Sequence, residues 1–174
     1  MEIKGFITNM GKYAEGEIVG KWITFPIEEE ELKKVLKEIE IGGRYEEYFF
    51  TDYENNIFDF SESTSVARIN ETVNRYKDLC IDHDEEIVNA MCNYYWNDLD
   101  YVECKIDNIY VYYNVNDMEE VAEQFVEETC LLENIPSDIA QYFDYEKYGR
   151  HMEFNGDWIW FGENKQNVIY VNKR

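Results

Sequence analysis

Between Asp78 and Glu146 the chain carries 19 acidic residues and a single base, Lys105. The flanks differ: residues 1–77 hold 16 acids and 10 bases, and residues 147–174 hold 3 acids and 5 bases. Nearly all of the net charge of −22 therefore sits in the middle of the chain. Like charges gathered in one compact body repel, so this segment folds at a cost in stability. Charge also selects partners. A chain this negative repels nucleic acid and anionic membrane surfaces and attracts basic ones.

Two helical stretches show what is unusual. In Glu28 to Ile39, the apolar stripe is Leu32, Val35, Leu36 and Ile39, and Glu29 and Glu30 face Lys33 and Lys34 at i,i+4. That is an ordinary solvated helix whose pairs support one another. In Asp117 to Leu132, a helical wheel puts Met118, Val121, Ala122, Phe125, Val126, Thr129 and Leu132 on one arc. Asp117, Glu119, Glu120, Glu123, Glu127 and Glu128 fill the other, without a lysine. Glu119, Glu123 and Glu127 are successive like charges, each pair costing about 0.2–0.5 kcal/mol. Solubility alone would be served better by a lysine among them. The acids of the same lysine-poor stretch ahead of this helix are Asp78, Asp82, Asp84, Glu85, Glu86, Asp98, Asp100, Glu103 and Asp107. We read all fifteen as an anionic surface that imitates phosphates. Twenty-two net charges equal those on roughly 37 Å of duplex DNA, at one charge per roughly 1.7 Å.

Periodicity divides the chain into three small modules of an α+β protein. Residues 1–61 read as a sheet with one helix. Ile3–Thr8 and Glu17–Phe25 have strand character around a Gly11–Gly16 turn, and Tyr45–Tyr53 and Ile57–Phe60 follow around an Asn55-Asn56 turn. Residues 62–105 read as helical, with Val66, Ile69, Val73 and Tyr76 on one stripe. Asp82 is expected to open a further helix with Glu85 as its capping-box partner, burying Ile87, Met91, Tyr94 and Tyr95. Residues 106–174 are mixed: a strand at Ile109–Tyr113, the acidic helix, a helical start at Ile135-Pro136-Ser137-Asp138, and a hairpin of Trp158–Phe161 with Val168–Val171. The 29 aromatic residues suit thin modules, because each ring buries much area from one position.

Enzymatic chemistry finds little support. His83 in Asp82-His83-Asp84-Glu85 lacks the ligand spacing of a zinc set, and the calcium-loop glycine is absent. Gly11-Lys12 and Gly20-Lys21 lack the spacing of a phosphate loop. With 38 acids, close carboxylate pairs arise by chance and do not mark a glycosidase. Tyr94-Tyr95-Trp96 could form a sugar platform, but its periodicity favours a place in the core. No catalytic residue, cofactor or metal is expected. Cys80, Cys92, Cys104 and Cys130 include no C-x-x-C pair, and Met1–Tyr13 has no apolar block of a signal peptide. Reduced thiols in a cytoplasmic protein are expected.

Two stretches carry a recognisable pattern. One is Thr8-Asn9-Met10-Gly11-Lys12-Tyr13-Ala14-Glu15-Gly16, running on to Trp22 and followed by Tyr45–Glu54. The other is Ile135-Pro136-Ser137-Asp138-Ile139-Ala140-Gln141-Tyr142-Phe143-Asp144-Tyr145-Glu146-Lys147-Tyr148-Gly149-Arg150. In order, spacing and chain length they resemble the ArdA-type antirestriction proteins of conjugative plasmids and transposons. His151, where an acid is common, and Met10, where leucine is usual, depart from that pattern.

The resemblance implies an elongated chain of three α+β modules that pairs through its C-terminal module into a homodimer. It implies binding to the methyltransferase core and specificity subunit of type I restriction–modification enzymes, in the groove that holds DNA. Restriction, and to some degree modification, of incoming DNA would be blocked. It places Ile135, Pro136, Tyr142, Phe143, Asp144, Tyr145, Glu146, Tyr148 and Gly149 in the antirestriction motif near the dimer contact. Two other readings are an acidic module for another basic protein, and a carboxylate-dependent hydrolase. The hydrolase reading demands one or two carboxylates that abolish activity when changed; the phosphate-imitating surface demands that no single one matter much.

Overall fold

Apolar residues at alternate positions give the first strand one buried face. In the computed structural model, which describes residues 2–55 and 57–171, Ile3, Gly5 and Ile7 of β1 (Ile3–Asn9) are buried. β2 (Gly20–Phe25) and β3 (Tyr48–Glu54) pair on either side of β1, giving an antiparallel sheet in the order β2-β1-β3. Ile3 lies opposite Phe25 and Ile7 opposite Phe50, with a register shift between Phe6 and Ile7. The Gly11–Gly16 segment, expected as a turn, begins instead with a short helix, α1 (Met10–Ala14). Asn9 makes that possible. Its Oδ1 accepts the Lys12 amide at 3.0 Å while its Nδ2 donates to the Ile39 carbonyl at 2.9 Å, so the fully buried amide is satisfied on both sides.

Helix α2 (Glu29–Glu38) follows its predicted stripe, burying Val35, with its cap Ile39. Helix α3 (Val66–Asp82) buries Val66, Ile69, Val73 and Tyr76, as the spacing predicts, and Leu79 beyond them. A side-chain amide ties α3 down: Asn70 Oδ1 accepts the Ile27 amide at 2.9 Å and Asn70 Nδ2 donates to the Ile27 carbonyl at 2.8 Å. Residues 57–60 form no strand, against expectation. Asn55 Oδ1 accepts the amides of Ile57 (3.1 Å) and Phe58 (2.7 Å), which curls the chain while Ile57 and Phe58 stay buried. Asn56, half of the expected turn, lies outside the described residues. These elements form the first of two compact units, Met1–Asp82.

The second unit, His83–Arg174, holds α4 (Glu85–Tyr94), α5 (Leu99–Lys105), a 3₁₀ turn at Ile106–Asn108 and β4 (Ile109–Tyr113). After these come α6 (Met118–Glu128), α7 (Ser137–Ala140), α8 (Tyr145–Asn155), β5 (Asp157–Phe161) and β6 (Asn167–Val171). The sheet is antiparallel in the order β4-β6-β5, with Tyr112 and Trp160 both opposite Val168. Tyr112, Val115, Met118, Val121 and Val168 form a core on one face, with Phe125, Met152 and Trp158 against it. Helix α4 lies along β5. The sequence-derived middle stretch, 62–105, contributes α3 to the first unit and α4 and α5 to the second. The α+β class expected from the sequence is the class observed.

Three local expectations are corrected here. Asp82 ends α3; Asp84 caps α4 instead, its Oδ1 accepting the Glu86 amide at 2.8 Å. Glu85 is then the first helical residue, too near the cap for a reciprocal capping-box bond. Helix α4 buries Ile87, Val88, Met91 and Cys92, while Tyr94 turns outward. Helix α6 stops at Glu128, because Cys130 takes a left-handed backbone (φ 51°), and this leaves Thr129 exposed.

Candidate partner-binding surface

Helix α6 starts on Asp117, whose carboxylate accepts the amides of Glu119 at 2.9 Å and Glu120 at 3.0 Å. An aspartate there satisfies otherwise unpaired amides and opposes the helix dipole. Met118, Val121, Ala122 and Val126 are buried, which turns Glu119, Glu123, Glu127 and Glu128 to solvent. Glu120 is half-buried and differs in kind. It accepts from the backbone amide of Asn116 (2.7 Å) and from its Nδ2 (3.0 Å).

Helix α8 lies along α6, and Gly149 sets how close it comes. A Cβ at Gly149 would overlap the carbonyl group of Met118. Asp144 caps α8 by accepting the Lys147 amide at 2.8 Å, which puts Asp144 and Glu146 near the start of α6. Desolvation holds the Glu119 carboxyl above its ordinary value, and the charges of Asp117, Glu146, Glu123 and Asp144 add to the rise. Arg150 pairs with Glu146 within this group.

The remaining acids singled out from the sequence lie on other elements. Asp78 and Asp82 are exposed on the last turns of α3 in the first unit. Asp84, Glu85 and Glu86 are exposed at the start of α4. Asp98 caps α5 by accepting the Tyr101 amide at 3.2 Å; Asp100 and Glu103 are exposed along that helix. Asp107 is exposed, 3.4 Å from His83 Nε2, an ion pair when that histidine is protonated.

The first unit handles charge differently. Lys4 bridges Glu2 (3.1 Å) and Glu54 (3.3 Å), and Lys12 bridges Glu17 (3.1 Å) and Glu40 (3.5 Å). Lys21 pairs with Glu38, Arg44 with Glu15, and Arg68 with Glu71. Lys33 pairs with Glu29, as the i,i+4 spacing predicts, and that hydrogen bond lowers the Glu29 carboxyl. Glu29 and Glu119 are thus both first-turn glutamates, shifted in opposite directions by their neighbours.

The motif stretch 135–149 divides. Ile135 and Tyr142 are exposed, Tyr142 to 81%, and Pro136 is the N-cap residue of α7. Phe143 turns inward, its ring 4.9 Å from that of Tyr145 and 5.3 Å from that of Tyr148. Tyr148 meets Phe125, and Gly149 is buried. Sequence reasoning missed two exposed rings, Trp96 (91%) and Phe154 (87%). Trp96, expected in the core with Tyr94 and Tyr95, is carried out of it because α4 ends at Tyr94. Asn97-Asp98, a turn residue and a cap residue directly after Trp96, were the available signal.

A family model described as antirestriction protein (ArdA) matches residues 5–164 of this chain. The chain belongs to the ArdA family. The match runs from β1 to the turn after β5, so it takes in the acidic helix, the motif stretch and the paired charges of the first unit other than those on Lys4. No curated protein matches the chain. ArdA is a family of antirestriction proteins, which implies a protein partner in restriction systems. Among the described residues, no group of three His, Cys, Asp or Glu side chains is placed to hold a metal ion. Among the same residues, no helix is long and apolar enough to cross a membrane.

Proposed function

We propose that this ArdA-family chain blocks restriction by occupying, in place of DNA, the DNA-binding groove of a type I restriction–modification enzyme. The observation that carries this reading is the acidic face of α6. Five exposed acids, Asp117, Glu119, Glu123, Glu127 and Glu128, follow a helical rise of roughly 16 Å, or one carboxylate per roughly 3 Å. The phosphates of one DNA strand recur every roughly 3.4 Å, so a groove built for that strand meets a similar charge density. The Glu119 carboxyl, raised by desolvation and further by its acidic neighbours, supports the same view: the acids of α6 stand without a lysine among them, while several acids of the first unit are paired with bases. A basic groove would relieve the repulsion along α6.

Homodimerisation belongs to the same proposal. Leu131, Ile135, Ile139 and Tyr142 are exposed apolar side chains around α7. A contact between two copies there would cover them and would join two acidic surfaces into a longer one. Light scattering of wild type and an Ile139→Asp, Tyr142→Asp double variant tests it, with a monomeric variant as the expected result.

Competition tests the main reading. Purified chain is titrated against labelled duplex DNA bound to the methyltransferase core of a type I enzyme, across a salt series. Displacement of DNA is expected, weakening steeply as salt rises. Glu→Gln changes at 119, 123, 127 and 128 should each have small effects that accumulate when combined. Failure to displace DNA, or loss of all activity from one carboxylate, would refute the proposal.

A further inference from the structure

Helix α4 ends in a turn that normally calls for glycine. The Asn97 amide donates to the Cys92 carbonyl at 2.8 Å and the Tyr95 amide to the Met91 carbonyl at 2.9 Å. In this termination the residue after the cap adopts a left-handed backbone, where glycine has no Cβ to clash. Trp96 occupies that position at φ 54°, with Asn97 following at φ 63°. For a bulky L-residue such a backbone costs stability. The side chain returns none of it through burial, since the indole is 91% exposed. A residue that is unfavourable in both backbone and side chain calls for a role outside the fold.

Its surroundings indicate what it would meet. Tyr94 and Tyr101, two residues before it and five after it, are exposed; the Tyr94 and Tyr95 rings lie 4.9 Å apart and those of Tyr95 and Tyr101 lie 4.6 Å apart. Lys105, the one base of the acidic stretch, stands 6.0 Å from the centroid of Tyr101. An aromatic face of this cluster therefore already holds a cation. Asp98 and Asp100, both exposed, follow Trp96 in the chain by two and four residues, the first as the cap of α5 and the second in its first turn. Aromatic faces edged by carboxylates attract guanidinium groups, which stack on the ring while the acids complement their charge.

We propose that Trp96 is an anchor for an arginine side chain of the basic protein groove that the acidic surface engages. The proposal rests on the reading of the partner as a DNA-binding groove and adds the residue through which the contact gains affinity independent of salt. An indole carries no charge, so its contribution leaves the salt slope alone.

The test uses full-length wild type, Trp96→Gly and Trp96→Phe. Each is titrated with a deca-arginine peptide, and each competes with duplex DNA for a type I methyltransferase core, across a salt series. Trp96→Gly should melt at a higher temperature, because glycine suits the turn, yet bind the peptide and the core about two- to thirty-fold more weakly. The slope of log affinity against log salt should stay as in wild type. Trp96→Phe, which keeps an aromatic face, should retain part of the affinity. Wild-type affinity in Trp96→Gly, a shallower salt slope, a lower melting temperature, or a phenylalanine variant as weak as the glycine one would each overturn the anchor. If wild type fails to displace DNA but its peptide binding still falls in Trp96→Gly, the proposed function is lost and the anchor stands.

Discussion

Gly149 of α8 rests against the backbone carbonyl of Met118 at the first turn of α6, closer than any side chain would allow. The contact sets the distance between the two helices. It also brings Asp144 and Glu146, at the beginning of α8, within electrostatic reach of Glu119. A glycine in the motif stretch is thus part of the fold that displays the charge.

Gly149→Ala should therefore act through stability. Its methyl group has a rigid backbone as neighbour, so α8 must shift, at a cost of about 1–3 kcal/mol. Urea unfolding followed by circular dichroism checks this. A variant as stable as wild type would show that α8 is not held by this contact.

In the first unit, Asn70→Ala should destabilise by about 1–3 kcal/mol, because it leaves both the amide and the carbonyl of Ile27 without their partner. Asn70→Asp should do little better. It keeps the acceptor for the Ile27 amide but sets a carboxylate oxygen against the Ile27 carbonyl. Equal melting temperatures for Asn70→Asp and wild type would count against the reciprocal pair.

Glu119 gives a pH prediction with a definite sign. Its folded-state pKa is raised above 4.5 by desolvation and by Asp117, Glu146, Glu123 and Asp144. The native state then binds the proton more tightly than the unfolded chain. The associated stability is present below 4.5 and is lost as pH rises through the raised value. Glu119→Gln should be more stable than wild type at neutral pH, and the two should converge as pH falls below 4.5. Thermal melts across an acid pH series measure this; a neutral-pH melt in which the glutamine variant is less stable would contradict it.

Phe125→Ala should cost about 2–3 kcal/mol, below the 3–5 kcal/mol usual for a fully buried ring. Phe125 is half-buried, packed against the core of Tyr112, Val115, Met118, Val121 and Val168, with its ring 6.2 Å from that of Tyr148. Denaturant midpoints at unchanged slope are the measurement. A loss as large as that of a fully enclosed ring would mean that solvent does not reach this side of α6.

What the sequence made legible follows from which interactions are local. The stripes of α2 and α3, and that of α6 as far as Val126, depend on helical spacing alone and appear as read, as do the strands β1 and β4 and the closing hairpin. The short helix α1, the curl at Ile57–Phe58 and the start of α4 went unseen or misplaced because single side chains decide them: Asn9, Asn55 and Asp84 each capture one or two nearby amides. Helix α8 was hidden by its mixed pattern, in which Tyr145, Tyr148 and Gly149 turn inward among Glu146, Lys147 and Arg150. For the candidate surface, the missing lysines were visible, but the meeting of Asp144 and Glu146 with Glu119 was not. That meeting depends on the close approach of two helices at a glycine, which has no periodic signature.

Asp84, Asp98, Asp117 and Asp144 each begin a helix while remaining exposed. A capping aspartate replaced by a residue without an acceptor costs about 1 kcal/mol of helix stability. Folding itself therefore opposes the loss of an acceptor at these four positions, while the neutral caps Asn, Ser and Thr remain open to them. What aspartate adds over those neutral caps is its charge at the positive end of the helix dipole, worth about 0.3–1 kcal/mol, so part of the negative surface is favoured by the fold without any partner present.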